Sequence, residues 1–195
     1  MHRRPLLDML ARYEARYPDE RKVAARIRQL VVEHEDCFDR TCRPGHVTAS
    51  AWVTTPTHDR VLLVHHRKLD RWLQPGGHAD GQCDIPAAAL REAAEETGLG
   101  RLRLSDDQSA VTPLDLDVHI IPARYNADGA LIDDAHEHHD VRFLVIADGD
   151  LTPQVSDESH DVRWFTKKEL LAATDEESVL RMWRKSGQWA VGSGQ

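Results

Sequence analysis

The chain has 195 residues, 41% of them hydrophobic, which is enough for one domain with a real core and an extension. Its net charge of −8 argues against a surface that coats nucleic acid. No apolar run approaches the roughly 18 residues that span a bilayer, and no apolar segment follows Arg3 and Arg4 to complete a signal peptide. Three cysteines without a CxxC pair make a poor disulfide framework, so we expect a cytoplasmic protein without membrane contact.

Two helices are predicted at the start of the chain, from about Pro5 to Asp39, with a break near Pro18. The apolar positions of the second helix recur at helical spacing: Val23, Ile27, Leu30 and Val31. This stripe would be costly to leave exposed, so it should pack on the rest of the chain or on a second copy in a homodimer. We therefore divide the chain into a helical extension (1–44), one domain (45–190) and a flexible tail (191–195).

From His46 onward the sequence changes to short apolar runs that are typical of strands. The predicted strands cover residues 47–53, 61–64, 72–74, 102–104, 116–122, 141–146 and 162–165. Two further helices are predicted at 167–173, after Thr166 as N-cap, and at 178–184. Strands mixed with a few helices, without a GxGxxG turn, predict an α/β (α+β) fold with helices on both sides of a mixed sheet.

The segment from Gly77 to Leu99 carries the most informative pattern. A glycine-rich loop leads into a helix, with Asp84 placed as N-cap and Gly98 just past the helix end. Small and apolar positions in this helix predict a packed face: Ala87, Leu90, Ala94 and Thr97.

Three carboxylates, Glu92, Glu95 and Glu96, fall within one sector of this helix at about 100° per residue. Like charges at this spacing repel one another and oppose the helix dipole near its C-terminal end. A bound divalent cation would remove that conflict, and Mg²⁺ or Mn²⁺ prefers carboxylate oxygen and water. The sequence therefore predicts a metal site here, the alternative being an exposed acidic helix.

This segment resembles the Nudix box, G-x5-E-x7-R-E-U-x-E-E-x-G-U, in which U is a bulky aliphatic residue. The matching positions are Gly77, Arg91, Glu92, Glu95, Glu96, Gly98 and Leu99. Two positions depart from the pattern, because Cys83 stands where the first Glu is expected and Ala93 where an aliphatic residue is expected. Asp84, next to Cys83, is a candidate replacement for the missing Glu. The resemblance implies a Nudix α/β/α sandwich with the helical extension added to it.

By this resemblance Glu92, Glu95 and Glu96 are the core metal ligands, and the Gly77 carbonyl is a further candidate. Either Glu95 or Glu96 could act as general base. In this family an acidic loop residue ahead of a late strand sometimes supplies the base, which makes Glu158 a third catalytic candidate.

Arg91 lies outside the carboxylate sector. Its position favours a brace for the acidic residues or the loop over a substrate contact, although it remains a candidate substrate-binding residue.

Histidine is frequent, at 12 residues. His78 directly follows Gly77 and is the histidine most expected near substrate. The run from His136 to Asp140 predicts a polar strand start that faces the pocket, with His139 as a candidate phosphate contact and a solvated loop as the alternative. His138 and Asp140 would share one strand face. No cysteine partner or HExxH spacing favours a zinc site.

The resemblance thus implies a Mg²⁺- or Mn²⁺-dependent pyrophosphohydrolase acting on a small-molecule diphosphate, for example a nucleoside diphosphate derivative such as ADP-ribose. The alternative is a non-enzymatic ligand-binding or regulatory module of the same fold, which the loss of Glu92, Glu95 or Glu96 would have favoured, but all three are present. Cys83 lies in a loop and is not expected to be a nucleophile.

Overall fold

The computed structural model describes residues 2–105 and 111–192, with side chains as far as residue 187. In this part of the chain the helices are α1 (Arg4–Arg16), α2 (Arg21–Glu33), α3 (Ile85–Thr97), α4 (Lys167–Ala173) and α5 (Glu177–Gly192), with a 3₁₀ turn at Pro18–Glu20. The strands are β1 (Gly45–Thr54), β2 (Arg60–His66), β3 (Arg71–Leu73), β4 (Gly76–His78), β5 (Leu102–Leu104), β6 (Asp115–Ile121), β7 (Arg124–Tyr125), β8 (Leu131–Asp133), β9 (His136–Ala147) and β10 (Ser159–Thr166). Within the same ranges, none of the helices combines the length and apolar character that a membrane span requires.

Eight strands of the described chain form one mixed sheet in which β1 and β9 are the central pair. These two strands run parallel along the whole of β1, from Gly45 opposite Glu137 to Thr54 opposite Ile146. Every residue of β1 is buried, as expected for a strand that is covered on both faces. The short strand β4 pairs with β1, and β6 pairs with β9, both antiparallel.

Helices cover both faces of this sheet. Alternate residues of β1 enter different cores, since Ala51 packs with α1, α2 and α3 while Trp52 packs with α4 and α5. The mixed sheet therefore lies between two helical layers, which confirms the predicted α/β/α sandwich.

The N-terminal helices contribute directly to the larger core. The buried positions of α1 and α2 are Leu6, Met9, Leu10, Tyr13, Ala24, Ile27, Leu30 and Val31. They belong to the same apolar cluster as β1 and α3. The apolar stripe is thus covered within the chain itself, and a homodimer stays a prediction.

A buried charge network connects the two ends of the chain. The Lys185 ammonium donates to the Tyr13 hydroxyl at 2.8 Å, to Glu20 at 2.8 Å and to Asp115 at 2.7 Å. Asp115 also accepts from Arg142 at 3.1 Å. Burial alone would raise the pKa of Asp115, but the bonded Arg181 guanidinium and these neighbouring cations hold it below its usual value. The network therefore keeps a buried carboxylate ionised.

One predicted boundary was wrong. The last helix continues to Gly192 instead of ending at Arg184, so residues 191 and 192 of the predicted tail are helical, and 193–195 lie outside the described residues.

Strand β9 begins at His136, as the polar strand start predicted for His136 to Asp140 requires, and continues through the apolar run from Val141. Its polar start is in the strand because β1 and β6 pair with it on either side, a tertiary effect that hydrophobic patterning does not report.

We expect Ile27→Ala to lower the free energy of unfolding by about 2–5 kcal/mol, because it removes a fully buried side chain from the shared core. Val32→Ala is the matched control, since Val32 is 59% exposed on the same helix and should change stability by less than about 0.5 kcal/mol. Chemical denaturation of both variants measures the difference. Equal effects would mean that the helices are a loosely attached appendage.

Candidate active site

Helix α3 is delimited as its sequence predicts. The Asp84 side chain accepts a hydrogen bond from Ala87 N at 3.1 Å, which makes it the N-cap. Gly98 ends the helix with a φ of 68°, in the left-handed region that favours glycine. The Asp84 carboxylate, considered as a replacement for the missing Glu of the box, is thus already bonded to the first turn of α3.

The packed face of α3 differs from the predicted one. Its buried residues are Ile85, Ala88, Ala89, Ala93, Glu96 and Thr97, whereas Ala94 is exposed and Ala87 and Leu90 are half-buried. The helix is rotated so that Glu96 turns inward toward β4. Two small residues at 88 and 89 permit this approach to the sheet.

Glu92 lies against the backbone of the glycine loop. A Cβ added at Gly77 would come within 2.6 Å of Glu92 Cδ and closer still to Oε2. Burial raises the pKa of the Glu92 carboxyl, although the neighbouring Arg91 guanidinium opposes the shift. The glycine at position 77 therefore makes room for a half-buried carboxylate.

Glu96 is the most enclosed of the three box carboxylates, with 8% of its surface exposed. Its Oε2 accepts a hydrogen bond from Gly76 N at 3.2 Å. Burial raises the pKa of Glu96 to about 7, against the effect of the Gly76 N–H. The negative charges of Glu92, Glu158 and Glu95 add to the rise. This carboxyl thus lies among like charges at the base of the loop.

Arg91 holds the loop and the acidic residues together. Its guanidinium donates to Glu92 Oε1 at 2.7 Å and to Glu95 Oε2 at 3.3 Å. The other terminal nitrogen donates to the backbone carbonyl of His78 at 3.0 Å. These contacts agree with the brace interpretation, and a substrate contact by Arg91 stays a prediction.

Glu158 lies close enough to Glu96 for its charge to affect that carboxyl. It directly precedes β10, and its backbone carbonyl accepts a hydrogen bond from Arg67 N at 3.1 Å. Glu158, the third catalytic candidate, thus lies near the box carboxylate Glu96. Its role in catalysis stays a prediction.

The two candidate substrate-binding histidines lie on opposite faces of the sheet. His78 pairs with Thr48, and its ring is 5.1 Å from those of both His46 and His138. His139 is only 2% exposed, and its Nε2 lies 3.1 Å from Glu137, which forms an ion pair with Arg26 of α2. The structure therefore does not leave His139 open to a substrate, because α2 covers it.

The predicted strand start carries a cluster that the sequence did not indicate. The rings of His136 and His138 meet the ring of His46, which comes from the neighbouring strand β1. The sequence around β9 could not predict that His46 joins this cluster. His46 reaches it because β1 and β9, which are distant in sequence, pair in parallel.

Comparison with known proteins decides the family. The NUDIX domain model matches residues 44–184. The chain belongs to the Nudix family. The match confirms the resemblance found in the box and, with it, the interpretation of the chain as an enzyme of the Nudix hydrolase class.

Solved Nudix structures share the fold at low identity. An Ap4A hydrolase complex from C. elegans is 19% identical, with a TM-score of 0.55, over 75% of this chain and 98% of that chain. A NUDIX-family hydrolase from Clostridium perfringens is 21% identical, with a TM-score of 0.54, over 73% and 97% of the two chains. The Nudix hydrolase RenU from M. smegmatis is 18% identical, with a TM-score of 0.52, over 77% and 88%. A comparison with curated protein sequences finds no match.

The Nudix carboxylates form an open arrangement. Within the described residues, the groups whose donor atoms all come within 4.8 Å of one another do not include these three carboxylates. Glu92 and Glu95 both accept from Arg91, and Glu96 accepts from the Gly76 N–H, so a bound cation would have to draw the three carboxylates together. An oxygen-only set with room for water suits Mg²⁺ or Mn²⁺, which retains several waters when bound. The residues present therefore fit the ion that the Nudix family implies.

Gly77→Ala should weaken Mn²⁺ binding by about tenfold or more, because the added methyl displaces the Glu92 carboxylate. The displaced group is the end of a flexible side chain, so the fold should survive. Gly100→Ala is the matched control, since a Cβ there meets nothing within 4 Å. Electron paramagnetic resonance titration of Mn²⁺ compares the two. Equal affinities would remove Glu92 from the predicted ligand set.

Cys83→Ser should leave turnover within about twofold of the unchanged protein, and thiol alkylation should have a steric effect at most. The Cys83 thiol lies 3.7 Å from the Gly81 carbonyl, in the loop before α3. A folded, metal-binding Cys83→Ser protein without activity would contradict this, and steady-state kinetics are the measurement.

Proposed function

We propose that the protein hydrolyses a phosphoanhydride bond in a small-molecule diphosphate, with Mg²⁺ or Mn²⁺ as cofactor. The observation that carries the proposal is the group of carboxylates around the glycine loop, with Glu96 buried against Gly76 and Glu92 against Gly77. A nucleoside diphosphate derivative such as ADP-ribose is the first substrate class to test. Ap4A, the substrate named for the C. elegans structure, is the second.

The cation would be held by Glu92, Glu95 and Glu96, with the Gly77 carbonyl as a further ligand. When bound, it supplies positive charge that offsets the charge of the diphosphate. Arg91 keeps the carboxylates and the loop in a fixed relation through its bonds to Glu92 and the His78 carbonyl.

Hydrolysis needs a water molecule that adds to one phosphorus while the bridging P–O bond breaks. A carboxylate must take the proton from that water. Two adjacent carboxylates are placed for this step, because Glu95 is exposed to solvent and Glu96 borders the loop. Glu158 is the third, from the loop before β10. Substitution of each identifies the base.

Excess chelator should abolish phosphate release from a panel of diphosphates, and added Mg²⁺ or Mn²⁺ should restore it. Glu96→Gln removes a charge at nearly constant volume and should lower turnover by about 10²-fold or more. Glu95→Gln and Glu158→Gln are measured beside it, and the variant with the largest loss of turnover at unchanged metal affinity marks the base. Glu33→Gln, on the exposed end of α2, is the control and should retain full turnover.

Full activity in excess chelator would contradict metal dependence. Tight binding of a panel compound without hydrolysis, by protein loaded with Mg²⁺, would favour the alternative of a non-enzymatic Nudix module. Resolving the panel by compound also identifies the substrate class.

A further inference from the structure

Five histidine rings from four strands meet on the face of the sheet opposite α3. His46 comes from β1, His78 from β4, His119 from β6, and His136 and His138 from β9. The ring of His46 lies 4.8 Å from that of His138 and 5.0 Å from that of His136. The rings of His136 and His138 are 5.4 Å apart. The Nudix box does not account for this cluster.

The cluster contains buried nitrogen atoms without partners. His46 is 1% exposed, and among the described residues neither of its ring nitrogens has a hydrogen-bond partner of acceptable geometry. The Nε2 atom of His138 is likewise buried and unpartnered. Leaving such groups unpaired costs free energy, and native proteins satisfy nearly all of them. A metal ion that accepts one nitrogen lone pair from each ring would give both rings a partner at once.

The backbone sets the tautomer of His136. Its Nδ1 lies 2.7 Å from the carbonyl oxygen of Asp134. A carbonyl can only accept a hydrogen bond, so Nδ1 carries the proton and Nε2 carries the lone pair. The same arrangement orients metal-binding histidines in known sites, where a carbonyl or carboxylate holds the nitrogen that does not bind the metal.

The charge state of the cluster favours a cation over an anion. Burial, reinforced by the neighbouring histidines, lowers the pKa of His46 to about 4 and that of His138 to about 2. Contact with the Cys42 backbone raises the pKa of His46, but by less than burial lowers it. Both rings are therefore neutral at pH 7, so they attract phosphate weakly and offer lone pairs to a metal.

We propose that His46, His136 and His138 bind one divalent transition-metal ion of the zinc class, at a site separate from the Nudix carboxylates. One donor nitrogen from each ring lies within 4.8 Å of the other two. Nitrogen ligands around a tetrahedral zinc ion are about 3.3 Å apart, given Zn–N bonds of about 2.0–2.1 Å. Binding would require the side chains to rotate until this difference is closed. Three histidines would fill three of the four positions that zinc prefers, and His78, whose ring is 5.1 Å from those of His46 and His138, is a candidate for the fourth.

The ion would join the starts of the two central strands, since His46 lies on β1 and the other two ligands lie on β9. It would thereby stabilise the fold beside β4, the strand that carries Gly76 and Gly77. The three proposed ligands, His46, His136 and His138, lie outside the Nudix box, so failure of this proposal and failure of the proposed hydrolase activity are distinguishable.

A second group of potential ligands, His34, Asp36 and Cys42, has the same spacing and serves as the comparison. Burial first, and a hydrogen bond to Asp36 second, raise the pKa of the Cys42 thiol to about 12. Of this group only Cys42 is buried, whereas His34 is half-buried and Asp36 is exposed, so water competes for its ligand atoms and we expect it to bind zinc more weakly than the histidine cluster.

The test uses full-length protein freed of metal by chelator and titrated with Zn²⁺ or Co²⁺ alone. We expect one tightly bound ion per chain at the histidines, beside any weaker binding at the Nudix carboxylates, a higher midpoint of thermal unfolding with Zn²⁺, and visible ligand-field absorption of low-symmetry Co²⁺. Zinc-edge X-ray absorption of the unchanged protein should show about three imidazole ligands, which requires no variant and remains decisive even where substitutions fail to fold.

His46→Phe and His138→Phe keep a ring in place but remove the donor nitrogen, and each should weaken Zn²⁺ binding by about 100-fold or more. His34→Phe tests the second group, and Glu92→Gln tests the Nudix carboxylates; both should bind Zn²⁺ as the unchanged protein does. Absence of saturable Zn²⁺ binding, a ligand shell of oxygens, or unchanged affinity in folded His46→Phe and His138→Phe proteins would overturn the proposal.

Discussion

The parallel pairing of β1 with β9 positions every other part of the molecule. It joins residues that lie about ninety positions apart in the chain and places a fully buried strand beside a largely buried one at the centre of the sheet. Strand β4 then pairs with β1, which brings the glycine loop beneath α3. Two carboxylates of α3, Glu92 and Glu96, acquire their burial, and their raised pKa values, from that contact.

The three residues of β4 serve both sites, because successive residues of a strand point to opposite faces. Gly77 lies against Glu92 on the face of α3, while the next residue, His78, lies against the rings of His46 and His138. A hard cation with oxygen ligands and a softer one with nitrogen ligands would thus flank a single strand. Their ligand chemistries differ enough for each site to select its own ion.

Features that depend on neighbouring residues were predictable from the sequence. The caps of α3 at Asp84 and Gly98, the capping box that starts α4 at Thr166, and the stripe of α2 all follow from local patterns. Features that depend on pairing between distant segments were not predictable. Nothing near His46 indicates that it will meet β9, and the polar strand start predicted at His136 did not show which strands would pair with it. The spacing of small and apolar residues in α3 also did not decide which side of the helix faces the sheet, and the buried side is turned by about one residue from the predicted one.

The Lys185 network has a consequence for synthesis on the ribosome. Tyr13, Glu20 and Asp115 all share this ammonium, yet Lys185 is translated after the rest of the sheet. Arg181 lies on the same helix, so until α5 emerges a nascent chain that closed its core would bury Asp115 without two of its cations. An uncompensated buried charge costs several kcal/mol, so we expect this core to close only after α5 has been made.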